Sequence, residues 1–193
     1  MKKITIFCLV TIMIFAISGC GSRKDTPEES QGEEGSVYAE ALDVLNAVMK
    51  VYAQEDLFSV YGGDQENAVM DAPGKFDISK TEELDVTLGL PEELVSEIDD
   101  AASMVHLMNA NTFTGAVYHL KDGTDINTFS DTVKSNILAK QWICGQPETL
   151  VIIDVDGNYI LTAYGNAEMI ETFKNNALSA LDGSQVITET PIL

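Results

Sequence analysis

Positive charge is scarce in this chain: 11 Lys and Arg stand against 31 Asp and Glu, for a formal net charge of −20. That balance excludes two partner classes. Nucleic acid binding relies on Lys and Arg neutralising phosphates, and charge-driven docking on an anionic lipid surface needs basic segments. Cysteine is rare as well. Cys8, Cys20 and Cys144 lie far apart with no Cys-x-x-Cys pair, so the spacing carries neither a disulfide framework nor a thiolate zinc site. His106 and His119 are the only histidines, and Trp142 is the only tryptophan. There is no Gly-x-Ser-x-Gly elbow, no His-Glu-x-x-His and no glycine-rich phosphate loop. Carboxylates are plentiful, but no pattern places two across a cleft. No catalytic residue, resident metal or cofactor is therefore read from the sequence.

What is present starts at the N-terminus. Met1-Lys2-Lys3 is followed by an uncharged, largely apolar run from Ile4 to Ile17, short of the ~20 residues a membrane-spanning helix needs. A positive start, a short apolar stretch and small residues at its end define a secretory signal. The end reads Ile17-Ser18-Gly19-Cys20 and resembles the lipobox of bacterial lipoproteins. That resemblance implies cleavage between Gly19 and Cys20, with a diacylglycerol and a further acyl chain such as palmitate on Cys20. One acyl chain holds a protein only reversibly, whereas two or more anchor it durably. Removal of Lys2 and Lys3 with the signal would bring the net charge to about −22.

The expected organisation is a signal peptide over residues 1–19, the lipidated cysteine with a tether over 20–35, and one domain over 36–193. Residues 21–35 carry no large apolar side chain and bury too little surface to offset their ordering entropy. As a flexible chain they would span ~20 Å. The remainder is one domain by size. With a single thiol left, at Cys144, its stability must come from its core, and Cys144 itself is expected there as a small buried hydrophobe.

Within the domain, Ser36 is a candidate cap for a helix carrying Tyr38, Ala41, Leu42, Leu45, Val48, Met49 and Tyr52 on one stripe. The stretch from Leu57 to Leu90 has no clear period, and Pro91 opens a short helix. Two hairpins follow, each leading into a helix. Residues 103–108 and 113–120 flank the turn Asn109-Ala110-Asn111-Thr112, and Asp125 then caps a helix bearing Ile126, Phe129, Val133 and Ile137. Residues 150–155 and 158–164 flank Asp156-Gly157, a type I′ signal. Asn166 caps the last helix, which bears Met169, Ile170, Phe173, Ala177, Leu178 and Leu181 and stops near Gly183. The expected class is α+β: an N-terminal helix plus two ββα units, forming an antiparallel sheet with the helices packed on one face.

From Leu84 to about Leu181 the chain resembles an uncharacterised domain found in lipoproteins of Firmicutes, especially Clostridia. The residues that carry the resemblance are Met104-Val105-His106-Leu107-Met108 and the run from Phe113 to Leu120 into Lys121-Asp122-Gly123. Gln141-Trp142 and the Val155-Asp156-Gly157-Asn158-Tyr159-Ile160-Leu161 segment continue it. It implies a Gram-positive lipoprotein and supplies no activity or site residue.

Three local features suggest ligands. Asp154-Val155-Asp156-Gly157-Asn158 has alternating oxygens, but a calcium loop needs twelve residues ending in a glutamate, and a hairpin turn accounts for this one. His106 and His119 fall on one hairpin and would hold a metal only if they faced each other; ordinary strand histidines are the simpler reading. Trp142 either closes the end of a core or forms a recognition platform, and the Gly and Pro beside it make this connection the expected place for a cleft. The resulting expectation is a lipoprotein on the outer face of the cell membrane, whose domain binds a ligand or protein of the envelope without catalysis. The alternatives are a metal-binding accessory lipoprotein and a small envelope enzyme using dispersed carboxylates.

Overall fold

The computed structural model describes residues 37–192. A single antiparallel sheet runs through them in the order Val69–Met70, Val60–Gly62, Ile98–His106, Phe113–Leu120, Tyr159–Gly165, Thr149–Val155, Gln185–Pro191, with Gly74–Lys75 also paired to Ile98–His106. Its long strands are β4 (Ile98–His106), β5 (Phe113–Leu120), β6 (Thr149–Val155), β7 (Tyr159–Gly165) and β8 (Gln185–Pro191). β1 (Val60–Gly62), β2 (Val69–Met70) and β3 (Gly74–Lys75) are short. The helices are α1 (Ala41–Lys50), α2 (Thr81–Glu83), α3 (Ile126–Ala139) and α4 (Ala167–Ala180). The chain is therefore α+β around an antiparallel sheet.

The expected hairpins form. β4 pairs with β5 and β6 with β7, and the two hairpins join through β5 and β7, with Val117 opposite Leu161. Asp156 and Gly157 turn the second hairpin with φ of 58° and 71°, both positive as a type I′ turn requires. The Asp154 side chain accepts from Gly157 N at 3.0 Å, so this carboxylate belongs to the turn. Asp125 caps α3 by accepting from Thr128 N, and Asn166 caps α4 by accepting from Glu168 N and Met169 N.

The helices do not share one face. α1 and α4 cover one side of the sheet, where Val44, Leu45, Val48, Ile170 and Phe173 pack on Met104, Val117, Val151 and Leu161. α3 covers the other side, where Phe129, Val133 and Ile137 pack with Leu84 and Leu88 on Tyr118, Leu150, Ile152 and Ile160. Topology supplies the reason. β5 and β6 run parallel to each other, β7 and β8 run parallel in the opposite sense, and both connections step the same way across the sheet. Crossovers between parallel strands are right-handed almost without exception, and two such steps from oppositely directed strands must leave their helices on opposite faces.

Two helix starts differ from expectation. α1 begins after Glu40, which makes no side-chain cap bond, and Ser36 lies outside the described residues. The first turn is capped from the sheet instead: Ala41 N donates to Asp100 Oδ2 at 2.8 Å. The short helix expected at Pro91 does form, as a 3₁₀ helix over Glu92–Glu97 with Pro91 at its N-cap rather than at its first helical position. The sequence also concealed β8, whose residues are mostly exposed and which lies along β6 as an edge strand.

The irregular stretch before β4 is organised by a buried carboxylate. Asp64, 1% exposed, accepts from the backbone N–H groups of Glu66, Asn67 and Asp77, from Asn67 Nδ2, and from Lys80 Nζ at 2.7 Å. Burial pushes this carboxyl up, but the hydrogen bonds from Lys80, Asn67, Glu66 and Asp77 outweigh it and hold the group well below the usual carboxylate range. Gly63 N donates to the buried Ser103 Oγ at 2.9 Å, tying the same segment to β4. β1 and β3 approach so closely that a Cβ on Gly62 would lie 2.0 Å from Gly74 N.

Candidate functional site

α2 continues into a wide turn over Leu84–Leu88 that ends at Gly89, where φ is 79°. A helix end leaves carbonyls without intrahelical partners, and here side chains from three other elements supply donors. Lys140 Nζ donates to Asp85 O at 2.6 Å and to Val86 O at 3.0 Å. Tyr164 OH reaches Thr87 O at 2.7 Å, Tyr118 OH reaches Leu88 O at 3.3 Å, and Asn136 Nδ2 reaches Gly89 O at 3.1 Å. Burial pushes the Lys140 amine below its ordinary value, with Asp85 opposing the shift. An ammonium at the carbonyl end of a helical turn is electrostatically favoured, so the lysine is retained there despite the desolvation. Burial raises the phenols of Tyr118 and Tyr164, which keeps both as donors.

Beyond α3 the chain passes through Lys140, Gln141, Trp142, Ile143, Cys144 and Gly145. Cys144 has φ of 65° and Gly145 of 116°. Two asparagines of the β4–β5 turn hold this loop: Asn111 Nδ2 donates to Ile143 O at 2.8 Å and Gly145 O at 2.6 Å, and Asn109 Nδ2 donates to Cys144 O at 3.2 Å. The Trp142 ring packs on Tyr164 with centroids 5.4 Å apart. Its Nε1 is buried and has no hydrogen-bond partner among the described residues, so any contact the indole makes with a ligand is through carbon.

Between this loop and the 84–88 turn lies a groove of about 450 Å³ lined by Asp85, Val86, Asn111, Asn136, Lys140, Gln141, Trp142 and Ile143. Val86 is 67% and Ile143 80% exposed. Single exposed aliphatics are ordinary, but two of them lining one concavity with a tryptophan and several polar side chains give the apolar and polar mix that binding surfaces share. Val86 also lines a neighbouring polar hollow of about 500 Å³ that includes Gln65, Lys80, Glu82 and Glu83.

Of the residues singled out in the sequence, Trp142 alone enters this groove. The two histidines do not meet. His119 sits opposite Asp100 on the β4–β5 ladder while His106 lies six residues further along β4, about 20 Å away at ~3.4 Å per residue. His106 Nδ1 accepts from Met108 N and Asn109 N and the ring stacks on Phe58, so it serves the turn. His119 Nδ1 hydrogen-bonds the Asp99 carboxylate, and its ring lies against Tyr159. Among the described residues, no group of three or more His, Cys, Asp or Glu is placed to hold a metal ion. Cys144 is exposed rather than buried, because the loop turns it outward at positive φ. Gly19 and Cys20 lie outside the described residues.

Sequence reasoning missed Val86, Ile143, Asn109, Asn111 and Lys140 as parts of one place. The asparagines read as turn formers, and nothing local shows that their amides reach a loop more than thirty residues away. No family model, curated protein sequence or solved structure matches the chain.

Proposed function

We propose that the chain is a membrane-anchored lipoprotein whose folded domain binds a ligand or protein of the cell envelope through the Trp142 groove, without catalysing a reaction on it. The lipobox-like segment ending at Cys20, and the resemblance to a domain of Firmicutes lipoproteins, support the anchoring and the extracytoplasmic address. The observation that carries the binding role is the pair of exposed aliphatics, Val86 and Ile143, that line one groove together with Trp142. The groove is held by the asparagine and lysine bonds to its walls, and preorganisation of that kind lowers the ordering cost of association.

A photo-crosslinking amino acid placed at Ile143 in intact cells tests the reading, with the same group at the exposed Asp122 as control. The expected result is a discrete adduct from position 143, absent from position 122 and lost with Trp142→Ala. Equal labelling from both positions, or none from 143, would overturn it.

A further inference from the structure

We infer that the groove takes a positively charged, extended polypeptide segment, which seats an apolar side chain among Val86, Trp142 and Ile143 and sets a lysine or arginine against Glu82 and Glu83. This deepens the binding role proposed above and rests on it. The first argument is the disposition of charge. Both lysines that line the groove and the adjoining hollow are committed internally: Lys80 Nζ lies 2.7 Å from Asp64 and 3.0 Å from Glu66, and Lys140 Nζ is bound by two backbone carbonyls. Neither ammonium is offered to a ligand, whereas Glu82 is exposed and Glu83, among the described residues, accepts only from Gln65 N at 2.6 Å.

Anionic ligands, by contrast, find their usual seats filled. The first turns of α1, α3 and α4 already hold the carboxylates or amides of Asp100, Asp125, Asn166 and Glu148, with Ala167 N donating to Glu148 at 2.8 Å. The net charge of −20 steers cations toward the whole surface. Shape supplies the second argument. Val86 lines both hollows, of about 450 and 500 Å³, so an occupant crosses it with one side chain on either side. A small cation would leave the apolar side empty. An extended chain places successive same-side residues ~7 Å apart and offers its main chain to the exposed Gln141 amide.

The test uses the full chain and an acetylated, amidated peptide of alternating Lys and Leu, eight residues long, with Trp142 as the sole indole reporter. The expected result is a saturable change in Trp142 emission. Affinity should fall about tenfold in the Glu82→Gln/Glu83→Gln variant, since two exposed charge pairs contribute between about twofold and thirtyfold together, and should fall comparably in Ile143→Ser. A peptide with Glu in place of Lys should leave the emission unchanged. Binding that survives both variants, equal binding of the Glu peptide, or no saturable response would overturn the inference. If the crosslink from position 143 forms while the peptide fails, the groove reading stands and only the charge assignment falls. If neither is seen, both fall.

Discussion

Replacing Asp64 with Asn should destabilise the domain by about 3 kcal/mol. The carboxylate is 1% exposed and accepts from three backbone N–H groups, one amide and one ammonium. Hydrogen bonds to a charged acceptor contribute roughly 1.5–3 kcal/mol each, which summed naively would exceed what any one residue supplies. Two structural facts reduce the sum. Glu66, Asn67 and Asp77 are exposed, so water can replace part of what their N–H groups lose, and Lys80 keeps its second partner, Glu66, at 3.0 Å. What remains is about the worth of two hydrogen bonds to the buried charged acceptor at the low end of that range, roughly 3 kcal/mol. For a domain of this size that corresponds to a fall in Tm of roughly 6–12 °C. Urea unfolding followed by Trp142 emission measures it.

The pH dependence has a definite sign. A carboxyl held below its unfolded value near 3.8 contributes stability that is complete above that pH and is lost as the pH falls toward the lower folded value. The gap between wild type and Asp64→Asn should therefore be flat from pH 6 to 8 and narrow below pH ~4. A loss under ~1 kcal/mol, or a gap that does not narrow in acid, would refute the idea that this carboxylate organises the segment before β4.

Gly62→Ala places a Cβ 2.0 Å from Gly74 N and 2.3 Å from Pro73 C. Because the obstacle is backbone, β1 and β3 must separate, at about 3 kcal/mol or more; a near-neutral urea midpoint would contradict the close approach. Lys140 has a lowered folded-state pKa, so the unfolded chain binds its proton more tightly. Wild type should therefore gain stability relative to Lys140→Met as the pH rises through the folded value toward 10.5, and parallel stability curves from pH 7 to 10.5 would exclude the burial effect. Cys20→Ala should leave the chain uncleaved and unlabelled by radioactive palmitate in growing cells, and efficient labelling of that variant would remove the anchor.

The strand pattern of β6 already bears on which faces the helices occupy. Leu150-Val151-Ile152-Ile153 is four consecutive apolar residues, and successive strand residues point to opposite faces. Such a run belongs to a sheet buried on both sides, as found, with Leu150 and Ile152 under α3 and Val151 and Ile153 under α4. The alternative of one solvated face required an alternation that this strand lacks. β8 was illegible for the converse reason. An edge strand with mostly exposed residues offers little periodicity, and its place along β6 comes from pairing partners 31 to 42 residues away.

By itself the sequence determined the local chemistry: the two hairpins with their Asp156-Gly157 turn, the caps at Asp125 and Asn166, the apolar stripes of α1, α3 and α4, and the acidic charge. Each of these is settled within a few residues by backbone sterics, short-range hydrogen bonds or helical spacing. Only the tertiary structure decided the rest. It set the order of the strands, the two faces on which the helices lie, the cap that Asp100 lends to α1, and the meeting of Val86, Asn111, Lys140 and Trp142 around one groove. Those residues are separated by up to 56 positions, and side chains so far apart are brought together by the pairing of the strands and the packing of α3 on the sheet, which no local preference encodes.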